Sequence, residues 1–177
     1  DSGSVTHKSN NEVNPVLSIS HSDTILVSSI GASCIKLKAW DEAKKIIFVA
    51  IDMMRHVLNP THSDLVIALS NLHLVHRHLN DTTAEQQVLE EITTILLNNK
   101  KINKPKLTKI AIRLSEIYAT KQDSQKAKTI LETVYPTLKE REESDEDIID
   151  FLRHLAQFYM KQNDNENAIK ISEELCN

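Results

Sequence analysis

The chain has 177 residues, enough for one sizeable domain and too few for two ordinary ones, with 40% hydrophobic, 26% charged and 4% aromatic residues. Only 2 Gly and 4 Pro occur, which excludes a Gly-rich phosphate loop and leaves a strand-rich fold without residues for its tight hairpins. A net charge of −4 argues against a domain that coats nucleic acid, and no apolar run is long enough to span a bilayer.

Residues 1–20 are rich in Ser and Asn without a helical period and read as a flexible arm or linker. From His21 the texture changes to apolar residues three and four apart. Ile25, Leu26, Ile30, Cys34 and Leu37 form one stripe, with Ser22 and Asp23 placed to cap it. After a break at Lys38-Ala39-Trp40, the acidic pair Asp41-Glu42 suits the positive start of a second helix, lined by Ala43, Ile46, Ile47, Ala50, Ile51 and Met54. Asn59-Pro60 ends it.

This helix pair recurs. His21-Ser22-Asp23 returns 41 residues later as His62-Ser63-Asp64, and Ala43 is followed at comparable places by Ala84, Ala127 and Ala168. In the first helix of each pair, Ile30 and Cys34, Leu72 and Val75, Leu114 and Tyr118, and Leu155 and Tyr159 correspond. A period in the low forties means a solenoid, because a lone helical hairpin cannot bury its apolar face without a stacked neighbour. The units predicted are 21–60, 61–104, 105–143 and 144–177 within one repeat domain, 21–177. Pro60, Pro105 and Pro136 are expected after second helices. In the second unit Leu72 or His73 can take the small-residue place, so two registers stay open.

The residues Ala111, Leu114, Tyr118, Ala127, Leu131, Val134 and Pro136 of the third unit resemble the tetratricopeptide repeat (TPR) family. So do Leu152, Leu155, Ala156, Tyr159, Ala168 and Leu175 of the fourth, and Val27, Ile30, Gly31, Cys34, Ala43, Ile47 and Ala50 of the first. The longer period is similar to that of kinesin-light-chain-type repeats. The resemblance implies an all-α, right-handed α-solenoid of about four helical hairpins. The turn glycine of the family is absent, and Lys38, Asn80, Gln122 and Asn163 stand nearby instead.

The resemblance also implies a concave groove lined by first helices. Its groove positions fall on Ser70, Asn71, His73 and Arg77, on Lys109, Arg113 and Glu116, and on Arg153, Gln157 and Lys161, expected to face away from the second helices. Ser28, Ala32 and Lys36 of the first unit make a poor polar set. Of the elements with which some family members clamp a C-terminal carboxylate, Asn71, Lys109 and Arg113 are present but dispersed, so an internal peptide segment or a partner helix is the expected ligand.

Catalysis is not expected: there is no GxSxG-like turn, and Cys34 lies on an apolar stripe. Nor is a metal or cofactor. His73 and His76 share a helix face, but His78 points about 160° from His76, and nothing near completes a ligand set. Two charge clusters remain, Lys100, Lys101, Lys104, Lys106 and Lys109, and Glu140, Glu142, Glu143, Asp145, Glu146, Asp147 and Asp150. They read as electrostatic docking edges or, more plainly, as cations after a helix C-terminus and anions before an N-terminus.

The function expected is a noncatalytic scaffold or adaptor that binds a protein partner, with no nucleic acid. The alternatives are an assembly or oligomerisation segment of a larger complex, and a peptide-sensing regulatory domain. Two cysteines, Cys34 and Cys176, are read as buried thiols in the cytoplasm or another reducing compartment. A chain that begins at Asp1 and ends inside a helical pattern reads as a piece of a longer protein, whose membrane anchor, if any, would lie outside it.

Overall fold

The computed structural model describes residues 18–99, 103–139 and 146–176; the expected arm over 1–20 lies almost wholly outside these, as do Lys100, Lys101, Glu140, Glu142, Glu143 and Asp145. Among the described residues the chain forms eight α-helices and no strand. They pair as four hairpins: α1 (His21–Lys36) with α2 (Trp40–Val57), α3 (Ser63–His78) with α4 (Thr82–Leu97), α5 (Lys104–Thr120) with α6 (Ser124–Lys139), and α7 (Glu146–Lys161) with α8 (Asn165–Cys176). Each second helix also packs against the first helix of the next hairpin, so one apolar core runs the length of an all-α solenoid.

The turn inside each hairpin is built the same way. Lys38, Asn80, Gln122 and Asn163 all adopt positive φ, between 56° and 61°, and stand 42, 42 and 41 residues apart. The next residue donates its N–H to the carbonyl five residues back: Ala39 to Cys34, Asp81 to His76, Asp123 to Tyr118 and Asp164 to Tyr159. This is a Schellman closure, which satisfies carbonyls that a helix end leaves open. In the last three hairpins the same aspartate then caps the following helix, its carboxylate accepting from the N–H of Ala84, Lys126 or Asn167. Ala39 offers no such cap.

Counted from these turns, the small residue of each second helix lies five positions on, at Ala43, Glu85, Ala127 and Ala168. The alanine expected at Ala84 is therefore displaced by one residue, and a carboxylate that is 1% exposed takes the close-contact place. The facing first-helix position is Gly31, His73, Ser115 and Ala156, which settles the register of the second unit in favour of His73 and makes His76, not Val75, the counterpart of Tyr118. Gly31 shows how tight the approach is: a Cβ there would meet Ile47 Cγ1 at 2.5 Å.

Several local expectations change. The first helix is capped by Ser20 in a reciprocal capping box with Asp23, not by Ser22. Pro105 sits in the first turn of α5, where its missing N–H costs nothing, and Pro136 lies inside α6, close enough to its end to forgo one hydrogen bond. Cys34 is half-buried and Cys176 exposed, both as free thiols, so neither is the fully buried thiol expected.

Gln122→Gly should raise stability by about 0.5–1 kcal/mol, since glycine removes the left-handed penalty and returns part of the gain as unfolded-state entropy. Asn163→Gly should change it less, because Asn tolerates this conformation. Urea unfolding midpoints check both.

Candidate partner-binding groove

The groove residues expected from sequence do not form one surface. Glu85 is buried where α3, α4 and α5 meet, and it is held bidentately by Arg113, with Nε–Oε1 at 2.8 Å and Nη2–Oε2 at 2.9 Å. His73 Nδ1 stands 3.3 Å from the same carboxylate. His73 and Arg113, expected to face away from the second helices, thus turn toward one, because the second hairpin carries an acid where the others carry alanine. The carboxylate holds the Arg113 guanidinium in its charged form, while burial lowers the His73 pKa and keeps that imidazole neutral.

Five of the remaining residues, Ser70, Lys109, Glu116, Gln157 and Lys161, divide between two clefts, each between successive first helices. Where α3 and α5 stand apart, Ser70, His73, Leu74, Asn103, Pro105, Lys106, Lys109 and Ile110 line an open cleft of about 370 Å³. Lys106 reaches across it to Ser70 Oγ at 3.3 Å. Desolvation pushes the Lys106 pKa down, and among the described residues no carboxylate pairs with it. The second cleft, between α5 and α7, is a shallow one of about 100 Å³ that gathers Glu116, Gln157 and Lys161 with Ser115, His154 and Phe158. His154 Nε2 lies 2.8 Å from Ser115 Oγ, and burial lowers its pKa. Asn71 is half-buried and Arg77 exposed, and neither lines either of these two clefts; Arg153 is exposed and pairs with Asp150 on its own helix at 2.6 Å.

The lysines also differ from the plainer expectation. Lys104, Lys106 and Lys109 belong to the first half of α5, with no acidic residue in its first turn. Cations at the positive end of a helix are unfavourable, so the dipole does not explain them. Lys104 is occupied structurally, donating from Nζ to the Leu138 carbonyl at 3.1 Å. Each of the two tyrosines that end first helices ties its hydroxyl to a glutamate of the preceding hairpin, Tyr118 to Glu90 at 2.6 Å and Tyr159 to Glu132 at 2.9 Å. Burial and these acids push both hydroxyl pKa values well above the usual phenol range.

The histidine run does not converge. His73 faces Glu85, the buried His76 has Nδ1 3.5 Å from Asp81 Oδ2, and His78 stacks on Trp40 at 3.9 Å between ring centroids. A different set does come together, His21, His62 and Asp64, from the two matching tripeptides. Reading those tripeptides only as helix openers missed it; stacking one repeat on the next predicts their adjacency.

Stacked helical hairpins with small residues at the close contacts and clefts between first helices define a TPR-like repeat fold. The comparison with solved structures agrees. A putative kinesin light chain with nearly identical TPR-like repeats from Podosopora anserina superposes with a TM-score of 0.69 at 15% identity, over 91% of this chain and 77% of that one. BtubC (BKLC) from P. vanneervenii gives 0.65 at 13% identity, over 86% and 61% of the two chains. PilF of Pseudomonas aeruginosa gives 0.56 at 13% identity, over 86% and 59%. No protein-family model and no curated protein sequence matches the chain.

Removing Arg113 should leave the buried Glu85 with only the His73 imidazole beside it, so Arg113→Ala is expected to cost about 3–5 kcal/mol. Glu85→Ala restores the alanine of the other hairpins and frees Arg113, which is 29% exposed, to reach water, so its cost should be far smaller. The double substitution should be more stable than Arg113→Ala alone. Denaturant unfolding of the three variants measures the difference.

Proposed function

We propose that the chain is a noncatalytic scaffold or adaptor that takes a peptide segment or helix of a partner protein across the clefts between its first helices. The observation that carries this reading is Lys106. A partly desolvated ammonium beside an open cleft, at a helix N-terminus and without a counter-ion among the described residues, is stabilised by a carboxylate brought from outside. Lys109 at the same cleft and Lys161 at the next continue the basic character, and the apolar Leu74, Ile110 and Phe158 supply contact area. An acidic segment with spaced apolar residues fits this arrangement. Partner identity follows from that chemistry only as far as its class. The two free thiols fit a reducing compartment, which we place within the same proposal.

A second reading, assembly through the ends of the solenoid, is favoured by a separate observation. Ile25, Leu26, Ile30 and Leu37 on the first hairpin are 45–80% exposed, and Met160 and Ile169 on the last are similarly open. Such surfaces ordinarily carry a further repeat or a partner.

To test the groove, the partner captured by the 177-residue chain is tiled as peptides and the binding tile titrated by fluorescence anisotropy. The tile is expected to be acidic, and Lys106→Met should weaken it about tenfold with helicity unchanged. Equal binding by Lys106→Met and by Lys109→Glu/Lys161→Glu would remove the groove assignment. The end-assembly reading predicts a concentration-dependent rise in sedimentation coefficient that Leu26→Glu abolishes; a monomer at all concentrations counts against it.

A further inference from the structure

We propose that His21, His62 and Asp64 form a binding site for one divalent transition cation of the zinc type, bridging the first and second hairpins. The side chains come from the starts of α1 and α3, which the stacking of the first two hairpins brings side by side. His21 Nε2 lies 2.7 Å from Asp64 Oδ2, His62 Nδ1 lies 3.7 Å from the same oxygen, and one ligand atom from each residue falls within 4.8 Å of the others. Tetrahedral zinc, with bonds of about 2.0–2.2 Å, separates its ligand atoms by about 3.3–3.5 Å, so small rotamer adjustments bring the three to coordinating distance. The imidazoles are 5.1 Å apart, edge to face, a spacing that places both near one point in space.

The donor set decides the class of ion. Two imidazoles and one carboxylate suit zinc, cobalt, nickel or copper, whereas calcium and magnesium take all-oxygen sets with more ligands. The set is also available. His62 Nδ1 accepts a long 3.2 Å bond from the Asp64 N–H as the cap of α3, a bond that an ion at this nitrogen would replace. Asp23, the tripeptide counterpart of Asp64, is bound to Ser20 in the capping box and cannot compete for His21. The side chains are 43%, 34% and 25% exposed for His21, His62 and Asp64, which gives an ion access from solvent and leaves a fourth position for water or for a donor from another molecule.

Zinc titration calorimetry on the metal-free 177-residue chain tests the site, with tetrahedral cobalt absorption as a second probe. One ion per chain, a raised melting temperature and a visible cobalt band are expected. His21→Ala and Asp64→Asn should each weaken uptake at least tenfold and remove the cobalt band, with the helical circular dichroism unchanged. His21→Cys should retain binding, since a thiolate is also a zinc ligand. His56→Ala, at a histidine bonded to the Asp52 carbonyl of its own helix, should bind as the parent does. No saturable uptake at about micromolar zinc, or equal uptake by His21→Ala and the parent, would overturn the site.

Discussion

Everything in this fold depends on how closely two helices of a hairpin approach just after their turn. The left-handed residue reverses the chain, the Schellman closure fixes the exit direction, and five residues later the second helix must lie against the first. At an interaxial distance of about 8–10 Å, only small side chains fit on both sides of that contact. Gly31 lies against Ile46 and Ile47 with no room for a methyl group, and Ala43, Ala127 and Ala168 are buried at the small-residue place of their helices. With that angle set, the outer stripe of each second helix is presented to the next hairpin, and the core propagates along the chain without long-range pairing.

The second hairpin breaks this rule and organises its neighbourhood in doing so. Glu85 replaces alanine, His73 replaces the opposing small residue, and the guanidinium of Arg113 arrives from the next hairpin to neutralise the pair. A cross-hairpin ionic contact thus substitutes for simple apolar closure. It joins α4 to α5 while α3 and α5 stand apart, and the cleft carrying Lys106 opens in that gap. Arg113 is consumed by the fold, its guanidinium held bidentately by the buried Glu85.

The architecture was legible in the sequence because it rests on spacing. Apolar period, recurring small residues and the four substitutes for turn glycine, Lys38, Asn80, Gln122 and Asn163, are all local, and each of those four takes positive φ. What spacing alone did not carry was register at the one unit where the pattern residue is charged. Ala84 is adjacent to the true position, and an alanine attracts the alignment more readily than a glutamate whose partner lies 28 residues away. The groove residues suffered for the same reason. A helical wheel places His73 and Arg113 on a face, but it cannot see the buried carboxylate that draws them inward. Among the lysines, only the observed start of α5 shows that they crowd a positive helix end.

The matching tripeptides show what a one-residue offset does. Measured from the turns at Lys38 and Asn80, His21 stands 17 residues upstream and His62 stands 18. The first tripeptide therefore lies one step deeper in its helix. His21 is the first helical residue with its side chain free to reach outward, and Asp23 is at the third position, where it closes a capping box with Ser20. In the second copy the histidine is itself the cap and Asp64 falls one position short of a reciprocal box, so its carboxylate turns across to His21. Identical residues with identical local chemistry are thereby divided into a cap and a cross-hairpin cluster, and the cluster exists because the two copies are out of phase with the repeat that contains them.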